Sequence, residues 1–116
     1  MHEMALMGDI LNIIIEDAEQ KGIKKFNNIE LLVGELSNAM PDALEMAFAI
    51  YKEQNPQLFS ENASLHIEHE EALSECVFCQ TRYKPDLKIS ICPSCNMPTG
   101  KLISGEAFQV LSYEGD

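Results

Sequence analysis

The sequence predicts an α+β fold, in which a lobe of two helices and a mixed three-stranded sheet carries an inserted segment with four cysteines. Three observations predict this fold: two stretches with apolar residues at helical spacing, three stretches typical of strands, and two Cys-x-x-Cys pairs before the last strand. The chain has 116 residues, of which 46% are hydrophobic. We therefore expect one modest core, in a single domain or a domain with a small appendage.

The first helix is predicted from Met4 to about Gln20. Gly22 follows it as a candidate C-cap residue in the left-handed conformation. Met4 and Met7 could be read as thioether ligands, but at helical spacing within an apolar face we interpret them as core residues. The apolar face of this helix recurs at spacings of four, three and four, at Met7, Leu11, Ile14 and Ala18.

Alternation of apolar and polar residues predicts a strand at 29–33 and another at 63–68. A second helix is predicted between them, beginning near Pro41, whose fixed φ suits a first helical position, and ending before Asn55-Pro56. A last strand is predicted from Phe108 to Tyr113, and we expect it to pair with the sheet of the first lobe. The apolar face of the second helix comprises Leu44, Ala47, Phe48 and Tyr51.

The four cysteines form two Cys-x-x-Cys pairs separated by twelve residues. Each pair is short enough to turn both sulfurs toward one ion, and two pairs complete the tetrahedral thiolate shell of a structural zinc site. No cysteine is left over, so the shell has no open position for a substrate water. We predict a zinc ribbon held by Cys76, Cys79, Cys92 and Cys95, with iron or redox chemistry as the alternatives.

Charge and composition exclude several classes of function. The chain has 19 acidic against 8 basic residues, a formal net charge of −11 that would repel a nucleic-acid backbone. It has neither a signal-peptide pattern nor an apolar run long enough to span a membrane, so we expect a cytoplasmic protein with reduced cysteines. The sequence offers no catalytic nucleophile motif and no phosphate-binding glycine loop, so we expect that it is not an enzyme.

The ribbon is predicted to be an insertion between two strands, which divides the chain into residues 1–73 plus 106–116 and residues 74–105. Four of the eight basic residues lie in 74–105 together with two acids. The negative charge is therefore concentrated in the other lobe, which most simply keeps the protein solvated.

The first three residues, Met1-His2-Glu3, form a candidate ligand set for a second metal. The Met1 amine, the amide nitrogen of His2 and its imidazole Nδ1 can close fused chelate rings around one ion, with the Glu3 amide or carboxylate nearby. Such nitrogen-rich planar ligation suits Ni(II) or Cu(II). Binding must displace protons, so it should weaken as pH falls toward about 6.5 and below, where imidazole protonates.

The assembled chain resembles the HypA/HybF family of nickel metallochaperones. The resemblance covers nearly the whole chain, and its motifs are specific jointly rather than singly. They are Met1-His2-Glu3, Val33-Gly34-Glu35-Leu36-Ser37, Ala43-Leu44-Glu45, Ala47-Phe48, Cys76-x-x-Cys79, Cys92-Pro93-x-Cys95 and Gly105-Glu106.

The resemblance implies a protein that holds nickel at Met1, His2 and Glu3 as transient cargo, keeps zinc at the cysteines, and delivers nickel during maturation of [NiFe] hydrogenase or urease. It also implies three kinds of partner: a HypB-type GTPase, a hydrogenase large-subunit precursor and urease accessory proteins. We expect a monomer or weak homodimer that binds neither nucleic acid nor membrane. Family knuckles often have glycine after the second cysteine, where this chain has Gln80 and Asn96.

Two other classes of function fit parts of the sequence. One is a zinc-ribbon interaction module, although the near-neutral ribbon lacks the basic, aromatic-rich face that nucleic-acid binding needs. The other is a rubredoxin-like electron carrier, because the same cysteine spacing also suits a single iron. His66 and His69, on the strand before the ribbon, are interpreted as exposed strand residues rather than ligands.

Overall fold

The computed structural model describes residues 2–85 and 91–116, which form two helices and six strands. The α+β class predicted from the sequence is confirmed. None of the described helices is both long and apolar enough to cross a membrane. The elements are, in chain order, α1 (His2–Lys21), β1 (Phe26–Gly34), α2 (Pro41–Gln54), β2 (Phe59–Glu70), β3 (Leu73–Cys76), β4 (Arg82–Tyr83), β5 (Gly100–Ser104) and β6 (Phe108–Gly115).

The ends of both helices follow from local sequence. Gly22 has a φ of 74°, as the predicted left-handed C-cap requires, and the amide of Ile23 donates back to the carbonyl of Ala18. Helix α2 begins at Pro41 and ends before Asn55, whose amide donates to the carbonyl of Tyr51. The predicted boundaries of both helices are thus confirmed to within two residues.

The first sheet has the strand order β2–β1–β6. Lys25 and Asp116 exchange backbone hydrogen bonds just outside one end of the β1–β6 pair, and the amide of Gly34 donates to the carbonyl of Ala107 at the other end. These bonds join the start of one strand to the end of the other, so β1 and β6 are antiparallel.

Strands β1 and β2 run in the same direction. The amide of Phe26 donates to the carbonyl of Leu58 where both strands begin. The amide of Glu35 donates to the carbonyl of Glu70 where both strands end. Helix α2 is the crossover connection that a parallel pair needs. The predicted mixed three-stranded sheet is therefore confirmed.

Apolar side chains of both helices and the sheet form the core. The predicted helical faces are buried, except that Tyr51 is only half-buried. Phe59 is central, with its ring centroid 5.5 Å from that of Phe48 and 6.0 Å from that of Phe26. The buried residues of α1 and α2 are Met7, Ile10, Leu11, Ile14, Ala18, Leu44, Ala47 and Phe48.

Strand β6 pairs with the first sheet as predicted, but its apolar side chains are not buried. No residue in β6 is buried, and Leu111 remains 41% exposed. The predicted pairing of this strand with the first sheet is therefore confirmed, although its apolar residues stay at least partly exposed.

The second sheet was not predicted as strands, because its strands have only two to five residues and little alternation. Its order is β4–β3–β5, with antiparallel pairing on both sides of β3. This sheet brings the first cysteine knuckle, which follows β3, beside the residues that lead into β5.

The chain divides into two compact units. The first comprises Met1–Leu32, Ala39–Glu68 and Gln109–Asp116, and the second comprises Val33–Asn38 and His69–Phe108. The second unit thus contains more residues than the ribbon segment 74–105. Backbone hydrogen bonds from the amides of Glu35 and Leu36 attach the loop after β1 to Glu70 and Gly105.

Candidate metal centres

The two Cys-x-x-Cys pairs form knuckles with the same backbone hydrogen bonds. In the first, the amide of Cys76 donates to the carbonyl of Thr81, and the amide of Gln80 donates to the carbonyl of Cys76. In the second, the amide of Cys92 donates to the carbonyl of Met97, and the amide of Asn96 donates to the carbonyl of Cys92. Each six-residue turn therefore holds its two cysteines on one side of the backbone.

The residue after the second cysteine of each knuckle has a left-handed backbone. The φ angle is 62° at Gln80 and 56° at Asn96. Glycine suits these positions because it adopts this conformation without strain. For residues other than glycine and asparagine, the left-handed backbone costs about 1–2 kcal/mol. The departure from glycine noted in the sequence thus leaves the turn itself unchanged.

The four sulfurs lie where a tetrahedral ion would need them. All are within 4.8 Å of one another, with 3.8 Å between the sulfurs of Cys76 and Cys95 and 3.6 Å between those of Cys79 and Cys92. A zinc–sulfur distance of about 2.3 Å in a regular tetrahedron requires sulfurs about 3.8 Å apart. The donor set therefore fits a zinc-sized ion with four thiolate ligands.

Hydrogen-bond donors around the sulfurs favour the charged thiolate form. The amide of Cys79 donates to the sulfur of Cys76 at 3.5 Å, and the amide of Cys95 donates to that of Cys92 at 3.4 Å. The hydroxyl of Thr99 lies 3.1 Å from the sulfur of Cys76, and that of Thr81 lies 3.2 Å from the sulfur of Cys79. The hydroxyl of Thr99 can donate to a thiolate at Cys76 once an ion is bound, whereas the hydroxyl of Thr81 accepts from the thiol of Cys79.

These contacts separate the pKa values of the thiols. The amide of Cys79, followed by the Thr99 hydroxyl, lowers the pKa of Cys76 to about 6, and the contact with Thr81 lowers the pKa of Cys79. Hydrogen bonds to Cys79 and Cys76 raise the pKa of Cys95 to about 12. Without an ion the cluster therefore keeps a proton on Cys95, which a metal must displace.

Sequence reasoning located the cysteines but missed the two threonines. Thr81 lies two residues after Cys79, and Thr99 lies four residues after Cys95. A hydroxyl residue just beyond a Cys-x-x-Cys pair is the signal that could have found them. Cys76 and Cys92 are buried and Cys79 is exposed, so one side of the cluster borders solvent.

The other candidate ligands lie at the start of α1. Met1 is outside the described residues. His2 is the first residue of α1 and is exposed. The carboxylate of Glu3 accepts a hydrogen bond of 3.3 Å from the amide of Met40, the residue before α2, so part of this carboxylate is already engaged. The amide of His2 is among the first four of its helix, which have no partner within the helix.

His66 and His69 are exposed residues of β2. Strand residues at adjacent or odd spacing point to opposite faces of a sheet, so these two imidazoles do not share a face. The positions of His66 and His69 thus agree with their interpretation as exposed strand residues.

The segment Val33-Gly34-Glu35-Leu36-Ser37 has a structural role in the second unit. The carboxylate of Glu35 accepts from the amide of Ala72 at 3.0 Å and forms an ion pair with Lys84. Lys84, followed by the Ala72 amide, lowers the pKa of Glu35. A Cβ on Gly34 would lie 2.2 Å from the carbonyl oxygen of Gly105, so only glycine permits this backbone approach.

Comparisons with known proteins agree on one family. Residues 1–115 match the family model described as "Hydrogenase/urease nickel incorporation, metallochaperone, hypA". Relatives named hydrogenase maturation factor HypA include that of Moorella thermoacetica, 35% identical with full coverage of both chains, and that of Lawsonia intracellularis, 36% identical over 87% of this chain and 92% of the relative.

Two solved structures are also similar. One, described as the solution structure of HypA protein, has a TM-score of 0.68 and 25% identity and covers 99% of this chain and 96% of its own. The other, the Ni metallochaperone HypA from Helicobacter pylori, has a TM-score of 0.64 and 22% identity, with coverages of 97% and 96%. At that identity the second structure supports the fold alone.

Proposed function

This chain belongs to the HypA family of nickel-incorporation metallochaperones, and on that premise we propose that it binds Ni(II) through Met1, His2 and Glu3 and delivers it during hydrogenase maturation. Maturation of [NiFe] hydrogenase is the proposed pathway, and urease is the alternative recipient. The protein acts by binding and transfer rather than by catalysis.

One observation supports this proposal: the candidate metal ligands fall into two sets with opposite properties. The four sulfurs surround a single position completely, two of them from buried cysteines. His2, in contrast, is exposed at the end of a helix, and its amide has no acceptor within that helix, which suits it to bind a metal once deprotonated. A closed shell suits a permanent ion, whereas an open terminal chelate can release its ion to an acceptor.

We propose that the cysteine site holds Zn(II) with a structural role. The support is the sulfur spacing, which fits a tetrahedral zinc shell, and the second-unit fold built around the two knuckles. Zinc contributes its binding energy to folding and needs no redox change. Metal analysis of the purified protein tests this: one zinc per chain is expected, and a red iron-containing protein would instead indicate an electron carrier.

The proposed partners are a HypB-type GTPase, which supplies the energy of nucleotide hydrolysis, and a hydrogenase large-subunit precursor, which receives the nickel. Urease accessory proteins are proposed for the alternative recipient. The proposed location is the cytoplasm, where four reduced cysteines remain available for zinc.

Nickel titration of the zinc-loaded protein tests the proposed cargo site. We expect His2→Ala to weaken nickel binding at least about 100-fold, because the variant loses the imidazole nitrogen of the chelate. The zinc content and the circular dichroism spectrum should not change, since His2 is exposed.

The matched control is His66→Ala, which removes an exposed strand histidine and should leave nickel affinity unchanged. Equal nickel affinity in wild type and His2→Ala would contradict the proposed ligands. Loss of zinc together with nickel would show that the two metals do not occupy separate sites.

A further inference from the structure

Strand β6 has an outer edge that the first sheet does not use. It lies at one end of the order β2–β1–β6, so β1 covers only one of its edges. A groove of about 410 Å³ runs beside it, lined by Lys21, Ile23 and residues 110–113. Backbone amides and carbonyls on such an edge can accept another strand.

The opposite edge of the same sheet is protected. The ammonium group of Lys52 donates to the carbonyls of Glu61 at 2.9 Å and Ala63 at 3.1 Å, two alternate residues of β2. Alternate carbonyls of a strand point to the same edge, so this cation occupies positions where another strand would bind. Strand β2 also carries three glutamates and two histidines, whereas the only charged residue of β6 is Glu114.

The sequence of β6 is suited to pairing with a copy of itself. In an antiparallel pair centred on Leu111, that exposed leucine lies opposite its counterpart, Val110 lies opposite Ser112, and Phe108 lies opposite Glu114. The two Glu114 carboxylates are then six residues apart along the pair, about 20 Å, which exceeds the screening length of about 8 Å at physiological salt. The strand thus presents an apolar centre with no opposed like charges.

We propose that the outer edge of β6 binds β6 of a second copy of this chain in antiparallel register about Leu111, joining two three-stranded sheets into one of six strands. The contact is one strand edge, and each copy has a formal charge of −11, so the dimer is weak and is strengthened by salt.

Sedimentation of the full zinc-loaded chain tests the proposal. We expect a reversible monomer–dimer equilibrium between about 10 µM and 1 mM, with more dimer at high salt. Leu111→Lys places two cations opposite each other and should raise the dissociation constant about tenfold. The control Ile13→Lys makes the same change at an exposed position of α1 and should have no such effect.

A wild-type chain that stays monomeric at all concentrations and salts would overturn the proposal and leave the edge for the strand of another protein. Equal dimerisation of wild type and Leu111→Lys would overturn it as well.

Amide hydrogen exchange of the wild type makes the test independent of any variant. Exchange within 108–115 should slow as concentration rises, while that of β2 stays constant, because only the β6 edge gains hydrogen bonds. Dimers that form without added protection in β6 would place the interface elsewhere and refute the inference.

Discussion

The properties of single residues around the knuckles explain why the cysteine site favours a bound cation. Thr99 places its hydroxyl 3.1 Å from the sulfur of Cys76, one of the two buried cysteines. With the amide of Cys79, it lowers the pKa of Cys76 to about 6. A thiol with a lowered pKa keeps its metal to lower pH, since protons compete less well for the sulfur.

We therefore predict that Thr99→Val lowers zinc affinity about tenfold, as is typical when a hydrogen bond to a metal ligand is lost. Because the pKa of Cys76 rises toward its ordinary value in the variant, the midpoint of zinc release on acidification should move to higher pH. Chelator competition at several pH values measures both effects. Ser112→Ala on β6 is the control for loss of a hydroxyl, and a release midpoint shared by all three proteins would contradict the prediction.

At the scale of elements, a single glycine controls how α1 packs against α2. The hydroxyl of Tyr51, on α2, donates to the carbonyl of Met4 on α1 at 3.0 Å. A Cβ on Gly8 would lie 2.8 Å from this hydroxyl oxygen but 3.6 Å from the ring carbon that bears it. The hydroxyl is therefore the only close contact that a Cβ at this helix position would meet, and it must shift to admit one.

We predict that the effect of Gly8→Ala depends on Tyr51. In a Tyr51→Phe background, alanine should stabilise the fold by about 0.5–1 kcal/mol through helix propensity. In the wild-type background this gain is offset by displacement of the Tyr51 hydroxyl, whose hydrogen bond contributes about 1 kcal/mol. Urea unfolding of the four zinc-loaded proteins measures the difference, and the same change in both backgrounds would contradict this packing.

At the scale of the whole molecule, the two compact units differ in what stabilises them. The first unit has an apolar core of helix and strand residues. The second has short strands, and its most deeply buried side chains include Cys76, Cys92 and Ser74. In a unit with so few apolar residues inside, the proposed zinc ion would supply part of the core.

We predict that removing zinc with a chelator speeds amide exchange at least about tenfold in the described parts of 69–108, because the knuckles lose the ion that holds them. Exchange in the buried parts of α1 serves as the internal control. Hydrogen exchange read by mass spectrometry, with zinc loss verified by elemental analysis, checks the prediction. Unchanged exchange around Cys76 and Cys92 after complete zinc loss would show that the second unit folds without metal.

The sequence alone determined the helices, the three longer strands and the four cysteines as a metal-binding set. Helical periodicity, Pro41, Gly22 and the Cys-x-x-Cys spacing are local signals, which act within a few residues of one another. The fold class could therefore be predicted together with the four cysteines that the structure brings into one cluster.

Only the tertiary structure decided what depends on residues far apart in the chain. It brought Thr99 to the sulfur of Cys76, Lys84 to Glu35 and Lys52 to the edge of β2. It also made β6 an edge strand, because strand order is set by which strands pair rather than by the pattern within any one strand. Alternation in a sequence predicts that a strand forms, whereas the number of its covered edges is a property of the assembled sheet.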